Sequence, residues 1–359
     1  MYSGKIISAD SHVSVSHDQV KANLATKWHD AYDNATGAFA QAQRQAAAAA
    51  NQQWTRNPHR HPAAGRMGNN DPNDRLVDMD ADGIDVEVLY SELSGFRYFN
   101  KMGSDVGGNA ATRAFNDALT GFASVNPDRL VVSYQLPLHD VQAAVDEVHR
   151  IASIGGKSLQ LPVFPPEVGL PDYWLEHWDP LWSAITETGL PITCHVGLNT
   201  ALNSLAERDP TPQRGIMVSV IAPTTSEAFG MWMVTGVLER FPDLKLVFVE
   251  TQLGWVPWYL HIMDDLATRQ RYEFPAIKEL PSFYFRRNIH LTFIEDPWVA
   301  TDDRYTLGVN NLMWSTDYPH PVSSWPNSQQ IIEEQLKGLP DEEQELILYG
   351  NAARVWNLN

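Results

Sequence analysis

Eight short runs of apolar residues, rich in Val and Ile, recur along the chain, and stretches with a helical period separate most of them. Short, nearly continuous apolar runs are typical of parallel strands that are buried on both faces. The predicted strands are residues 5–9, 84–90, 130–137, 158–163, 191–196, 244–250, 289–294 and 312–317. The clearest predicted helices are residues 109–124, 140–153, 173–188, 227–240 and 256–271.

This alternation predicts an α/β fold, a single (β/α)8 TIM barrel, rather than a doubly wound sheet. No Gly-x-Gly-x-x-Gly sequence follows the first predicted strand, so the dinucleotide-binding alternative has no support. A length of 359 residues is normal for one such barrel, and we find no internal repeat or domain-separating linker. We therefore predict one domain that covers residues 1–359.

Two connections are too long to be simple loops. The first, residues 13–73, contains an Ala/Gln-rich stretch at 38–53 that should be helical and a Pro/Gly/Asn-rich stretch at 57–72 that should not. The second covers residues 197–226. These insertions follow predicted strands 1 and 5, and the connections after strands form the catalytic face of a barrel. We predict that both lie over the active-site mouth, as a lid, a substrate wall or part of a dimer contact.

Several predicted strands end in side chains that bind metals or move protons. These are Asp10 and His12 at strand 1, His195 at strand 5, Glu250 at strand 6 and Asp317 at strand 8. The C-terminal ends of barrel strands share one mouth, so we expect these groups to converge. Two imidazoles with carboxylates suit zinc, manganese or iron better than magnesium or calcium. The pattern predicts one divalent metal ion, with zinc favoured.

Each of these residues also has a purely structural interpretation. Asp10 could cap a helix, and His12 could be a hydrogen-bonded loop histidine. His195 could be a satisfied core histidine, and Asp317 could simply begin a turn. Four such coincidences at one barrel mouth are less expected than one metal site. A second His-x-His, formed by His59 and His61, lies in a Pro-rich loop without a third ligand and is a weak candidate.

Composition narrows the choice of partners and compartment. A formal net charge of −18 argues against general binding to nucleic acids. The chain shows neither a signal-peptide pattern nor a run long enough to span a membrane. The one cysteine, Cys194, excludes an intrachain disulfide and should face the helices rather than act as a nucleophile. We therefore expect a cytoplasmic enzyme with a small-molecule substrate, and the twelve tryptophans favour an aromatic or cyclic one.

Six segments of the chain resemble the amidohydrolase-related family, which contains metal-dependent barrel hydrolases and the aminocarboxymuconate-semialdehyde and resorcylate-type decarboxylases. They are 9–13 (ADSHV), 75–85 (RLVDMDADGID), 189–195 (GLPITCH), 254–257 (GWVP), 313–321 (MWSTDYPHP) and 350–354 (GNAAR). The resemblance implies one metal ion bound by Asp10, His12, His195 and Asp317, with Asp317 also able to move protons. It further implies a homo-oligomer, a dimer or a larger assembly. The decarboxylases tend to have a histidine on strand 6, where this chain has Glu250.

These features predict a metal-dependent hydrolase. Water activated by the metal and deprotonated by Asp317 or Glu250 would attack the carbonyl carbon of an amide, an ester or lactone, or a carbon–carbon bond next to a ketone. The alternative is a metal-dependent, non-oxidative decarboxylase of a hydroxyaromatic or dienoic acid, in which Asp317 protonates the substrate carbon. A third interpretation, an inactive barrel used for binding, predicts no stoichiometric metal.

Overall fold

The computed structural model describes residues 2–38, 41, 66–91, 93–211 and 214–358. Eight parallel strands form one sheet in chain order, and a bridge between Ser11 and Tyr318 brings the first strand back to the end of the last. The strands are β1 Ile7–Val13, β2 Val86–Ser91, β3 Leu130–Gln135, β4 Ser158–Pro162, β5 Ile192–His195, β6 Leu246–Val249, β7 Ile289–Phe293 and β8 Leu312–Trp314. The predicted (β/α)8 barrel is confirmed.

Helices surround the sheet. They include residues 29–38 and the helices His17–Asn23, Pro72–Asp82, Ser94–Met102, Gly108–Ala123, Val141–Ser153, Asp179–Thr188, Thr200–Arg208, Gly215–Val220, Ser226–Val234, Val237–Arg240, Val256–Arg269, Pro281–Asn288, Arg304–Leu307, Ser328–Gln335, Asp341–Glu345 and Asn351–Trp356. The predicted helix 227–240 is interrupted because Gly236 has a left-handed φ of 85°. Within the described ranges, no helix is both long and apolar enough to cross a membrane.

The structure describes only parts of the insertion predicted after β1. A helix at His17–Asn23 and a short 3-10 turn at Met67–Asn69 lie at its two ends. Apart from residues 38, 41 and 66–72, the predicted helix 38–53 and the Pro-rich stretch 57–72 fall outside the described residues, as do His59 and His61. The connection after β5 carries two helices, Thr200–Arg208 and Gly215–Val220, which the sequence analysis did not predict.

Alternate positions along the strands divide the core into two clusters, as expected for a pleated sheet with two buried faces. One set packs against the surrounding helices and includes Cys194, so the predicted orientation of this thiol is confirmed. Burial raises the pKa of Cys194 to about 12, which leaves it a poor nucleophile. The other set lies inside the barrel, and helix Asn351–Trp356 adds Ala352, Val355 and Trp356 to it.

Helix Asn351–Trp356 closes the opposite end of the barrel from the predicted site. The Asn351 side chain donates to the carbonyl oxygen of Leu312, the first residue of β8, at 2.8 Å. Lys157, just before β4, bonds the carbonyl oxygen of Asn357 at 3.1 Å. The apolar contacts of this helix therefore fill the N-terminal end of the barrel, opposite the predicted site.

Candidate metal centre

The structure brings the five predicted site residues to one end of the barrel. His195 ends β5, Glu250 directly follows β6, and Asp317 lies three residues beyond β8. Asp10 and His12 lie inside β1 rather than after it, because β1 runs to Val13 and not to residue 9 as predicted.

A bulge in β1 explains why its polar residues remain part of the strand. Ser8 pairs with Glu87 and Ser11 pairs with Leu89, so Ala9 and Asp10 together lie opposite Val88. Bulges add one residue, increase the local twist and redirect side chains next to active sites. The polar run from Ser8 to His12 breaks the apolar pattern that predicted the strand, although its backbone continues the sheet.

Asp10 and His195 form a buried pair whose facing atoms, the carboxylate oxygens and Nε2, make no hydrogen bond among the described residues. Asp10 Oδ1 is 3.5 Å from His195 Nε2 and 4.0 Å from His12 Nε2. In the described part of the chain, neither Asp10 carboxylate oxygen nor His195 Nε2 has a hydrogen bond. The ligand atoms of Asp10, His12 and His195 all lie within 4.8 Å of one another. A buried, unsatisfied carboxylate is costly, so this donor set fits a divalent cation.

The backbone prepares His195 to act as a ligand. His195 Nδ1 lies 2.9 Å from the carbonyl oxygen of Val196 and donates a hydrogen bond to it. This bond directs Nε2 toward Asp10, an arrangement that is usual for histidines that bind metals. Burial lowers the pKa of His195, but the nearby carboxylates of Asp10 and Glu250 outweigh this effect and raise it to about 9. The same negative charge would attract a metal ion in place of the proton.

Asp317 belongs to a second, adjacent group. Its Oδ1 is 2.9 Å from His12 Nε2 and 3.0 Å from His320 Nδ1. The rings of His12 and His320 stack with centroids 3.8 Å apart. The four predicted ligands therefore do not form one cluster: Asp10, His12 and His195 do, whereas Asp317 and His320 share His12 with them. The sequence analysis missed His320, although its position three residues after Asp317 was the available signal.

The Asp317 carboxylate is held ionised and in place. Burial raises its pKa, but hydrogen bonds from His12 and His320 outweigh this and lower it to about 2. Asp317 has a left-handed φ of 53°, which is uncommon for a residue with a side chain. Two backbone bonds hold it there: Asp317 N donates to the Asp10 carbonyl at 2.9 Å, and His12 N donates to the Tyr318 carbonyl at 2.7 Å.

Glu250 faces the same centre from β6. Its Oε2 is 3.8 Å from His195 Nε2, and its φ of 58° is also left-handed. Burial, followed by the charge of Asp317, raises the pKa of Glu250 to about 8. A carboxyl group with this pKa can hold or release a proton near neutral pH. Strained backbone at both Glu250 and Asp317 is typical of functional sites.

Helix Pro72–Asp82 supports the metal centre from behind β1. Arg75 is fully buried, contacts the Glu87 carboxylate and donates to the carbonyl oxygen of His12 at 2.8 Å. Its guanidinium also lies over the Tyr318 ring, 4.4 Å from the centroid, and the Tyr318 hydroxyl bonds Asp78. The helix forms here because Asp71 caps its N-terminus, Pro72 occupies the first position and Gly83 ends it. It links the backbone of His12 to the loop after Asp317.

The two groups open into a cavity of about 390 Å³, which is sufficient for a substrate with one ring. Its lining includes His12, His195, Glu250 and His320, and Ser14 and Asn69 from the two ends of the first insertion. Among the described lining residues there is no tryptophan. Tryptophans 174 and 232 instead line a separate cavity of about 270 Å³. The tryptophan content that favoured an aromatic or cyclic substrate is therefore not reflected in the described lining of this cavity.

Most of this chain is similar to known proteins of one family. A family model described as amidohydrolase matches residues 13–358. Asp10 and His12 precede the matched range, so their assignment rests on the geometry described above. The γ-resorcylate decarboxylase of Rhizobium sp. (strain MTP-10005) is 24% identical over 281 residues, which cover 72% of this chain and 81% of the relative.

Two solved structures share the fold. The 5-carboxyvanillate decarboxylase from Sphingomonas paucimobilis has a TM-score of 0.73 and 21% identity, covering 99% of this chain and 100% of that one. A dihydroxybenzoic acid decarboxylase from Polaromonas sp. JS666, with bound manganese and the inhibitor 2-nitroresorcinol, has a TM-score of 0.71 and 16% identity, covering 99% and 98%. At these identities the likeness concerns the fold.

Proposed function

Because the chain belongs to the amidohydrolase family, we propose that it is a metal-dependent, non-oxidative decarboxylase of a small hydroxyaromatic or dienoic acid. The observation that carries this proposal is the buried Asp10–His195 pair, whose facing carboxylate and Nε2 atoms make no hydrogen bond among the described residues and fit a cation, beside the ionised Asp317. The γ-resorcylate decarboxylase among its relatives supports loss of carbon dioxide over hydrolysis. The hydrolase that the sequence analysis ranked first has no comparable support, so the ranking is reversed.

Asp10, His12 and His195 would hold the metal. A divalent ion there would supply positive charge that attracts the substrate carboxylate and an adjacent hydroxyl, and would stabilise negative charge on oxygen. His12 Nε2 now bonds Asp317 and would have to give up that bond to act as a ligand. Asp317 would then become a fourth ligand or remain paired with His320. Zinc is favoured by the donor set, and the manganese in the Polaromonas enzyme makes that ion the second candidate.

Asp317 and His320 would supply the proton that decarboxylation requires. His320 Nδ1 contacts the Asp317 carboxylate at 3.0 Å, and its side chain is 42% exposed, so it can exchange protons with solvent. Asp317, which is ionised at rest, would take a proton from His320 and pass it to the substrate carbon that carries the carboxylate. The bond between that carbon and the carboxylate would then break, and its electron pair would restore the unsaturated system as carbon dioxide leaves.

Hydrolysis is the second candidate, and Glu250 is the residue that favours it. A buried carboxyl with a pKa of about 8, 3.8 Å from His195, can accept a proton from water near neutral pH. The same residue would repel a substrate carboxylate whenever it is ionised. Hydrolysis therefore requires an ionised Glu250 that can accept a proton, whereas decarboxylation is favoured when Glu250 is protonated and neutral.

A paired assay separates the two candidates. Protein purified without chelator is analysed for zinc, manganese and iron, then incubated with hydroxybenzoic and dienoic acids while carbon dioxide release is measured. The same preparations are given aryl esters, lactones and amides. The proposal predicts one metal ion per chain and carbon dioxide release that is strongly reduced in Asp317→Asn. Turnover of hydrolysable substrates alone would transfer the assignment to the second candidate, and a metal-free, inactive wild type would refute both.

A further inference from the structure

Arg97 lies in the wall of the cavity at the metal centre. Helix Ser94–Met102, which follows β2, carries it, and the other lining residues include His12, His195 and Glu250. The rest of that helix packs into the core through Phe96, Tyr98, Phe99 and Met102, and Arg97 itself is half-buried. The core contacts of its neighbours therefore hold the guanidinium at the cavity.

Arg97 lacks the partner that other buried arginines have. Arg75 contacts Glu87 and Arg150 contacts Glu147, as is usual for guanidinium groups away from water. No hydrogen bond, ion pair or ring contact joins Arg97 to another residue that the structure describes. The other described arginines without a partner are 113, 208 and 214, and they are exposed. Arg97 is thus the one partly buried arginine of the described residues whose charge is uncompensated.

This lack of a partner is informative because the chain is strongly acidic. It has 44 acidic residues against 26 basic ones, yet no carboxylate oxygen in the described residues lies within 4.0 Å of the Arg97 nitrogens. Asp10, Glu250 and Asp317 are all in or near the same cavity and none pairs with it. A guanidinium has five donors in a planar fork that matches a carboxylate, and partial burial without such a partner is unfavourable.

We propose that Arg97 binds a second anionic group of the substrate, a carboxylate remote from the metal centre. This inference rests on the proposed function and narrows its substrate class to small dianions. One carboxylate, with its adjacent hydroxyl, would lie at Asp10, His12 and His195, and the other at Arg97. The reacting carboxylate is the less suitable partner for Arg97, because the metal held by Asp10, His12 and His195 would bind it, and no carboxylate oxygen of that centre lies within 4.0 Å of an Arg97 nitrogen.

Binding measurements with matched probes test the proposal without requiring turnover. Salicylate carries one carboxylate beside a hydroxyl, and 4-carboxysalicylate and 5-carboxysalicylate add a second at two positions. Dissociation constants are measured by calorimetry for metal-supplemented wild type, Arg97→Gln, Arg97→Lys and Arg113→Gln. Arg113→Gln removes the same charge at an exposed arginine outside the cavity and serves as the control.

The expected result is a selective loss. Wild type should bind at least one carboxysalicylate about 10- to 100-fold more tightly than salicylate, the effect of one charge-assisted bond. Arg97→Gln should abolish this preference, keep the affinity for salicylate and retain wild-type metal content and far-UV circular dichroism. Arg97→Lys should recover part of the preference, and Arg113→Gln should behave as wild type.

Several results would overturn the assignment. One is a wild type that binds neither carboxysalicylate more tightly than salicylate, including a wild type that binds none of the three. Another is an equal loss of affinity for all three probes in Arg97→Gln. If Arg97→Gln fails to fold, Arg97→Lys decides. A preference for the carboxysalicylates as large as that of wild type would leave no role for the planar fork of the guanidinium and would count against the proposal. Absence of carbon dioxide release would refute the proposed reaction while leaving the binding preference measurable.

Discussion

The buried pair of Arg75 and Glu87 allows a sharp test of how the metal centre is supported. Arg75 is fully buried, Glu87 is 2% exposed, and the two side chains are in direct contact. Arg75 also donates to the His12 carbonyl oxygen at 2.8 Å. The other hydrogen bond to Glu87 comes from the Ser11 hydroxyl at 3.2 Å. Arg75→Met would leave a buried carboxylate with one neutral partner.

The magnitudes follow from this count of partners. Loss of one member of a buried ion pair costs about 3–5 kcal/mol, because the remaining charge stays desolvated. Replacement of both charges by apolar groups is close to neutral, so the lost bonds to the carbonyl oxygens of His12 and Gly68, together about 1–2 kcal/mol, should dominate in Arg75→Met/Glu87→Leu. We therefore expect the free energy of unfolding to fall by about 3–5 kcal/mol in Arg75→Met and by about 1–2 kcal/mol in the double variant.

Urea unfolding of chelator-treated protein measures these differences without a contribution from bound metal. The control is Lys21→Met, which removes a pair with Asp33 at 2.7 Å in which Asp33 is 53% exposed. That variant should lose less than about 1 kcal/mol. Glu87→Leu is measured as the second single variant. If the double variant loses as much unfolding free energy as Arg75→Met and Glu87→Leu together, the two charges do not compensate each other and the reasoning is refuted.

Metal affinity separates support from positioning in the same variants. Arg75 holds the backbone of His12, and loss of such a neighbour typically weakens a metal site by about 10- to 100-fold. The double variant should therefore be folded yet bind zinc or manganese more weakly than wild type. Wild-type affinity in that variant would mean that Arg75 stabilises the barrel without orienting His12.

Three substitutions test individual site residues. His195→Ala should remove the metal while far-UV circular dichroism is unchanged, because its Nε2 makes no hydrogen bond within the described residues; wild-type metal content would exclude His195 as a ligand. Asp317→Asn should lower carbon dioxide release by about 10²- to 10⁴-fold, the usual contribution of a proton-transfer group, and a wild-type rate would exclude that role. Glu250→Gln should not lower carbon dioxide release, because it removes a charge that would repel the substrate carboxylate, whereas a loss of about 10²-fold in hydrolysis would support the second candidate.

The fold was predictable because every strand carries a buried apolar run. Both faces of a parallel sheet inside a shell of helices are buried, so strands such as β5 and β6 consist mainly of apolar residues. The predicted range of β1 ended too early because the second half of the strand, Asp10 to His12, is polar and contains the bulge. The run of apolar residues therefore ends before the strand does. The break at Gly236 depends on one backbone angle, which a helical period does not report.

The candidate site was predictable only as far as strand ends converge. Asp10, His12 and His195 meet because β1 and β5 deliver them to the same mouth. The pairing of Asp317 with His320 depends on the path of the loop after β8 and on a left-handed residue, neither of which follows from residue type. Arg97 went unnoticed because its significance lies in the absence of a partner, which only three-dimensional contacts reveal.

The closure of the barrel between β1 and β8 has a consequence for how the protein matures. His12 and Asp317 are 305 positions apart, and the same residues that would hold the metal also make the backbone bonds across this seam. Contacts between such distant segments form late, since they carry the largest loop-closure entropy. A partly folded chain with an open seam would have Asp10 and His12 on one edge and Asp317 on the other. Tight loading of the ion would thus mark chains whose folding is complete.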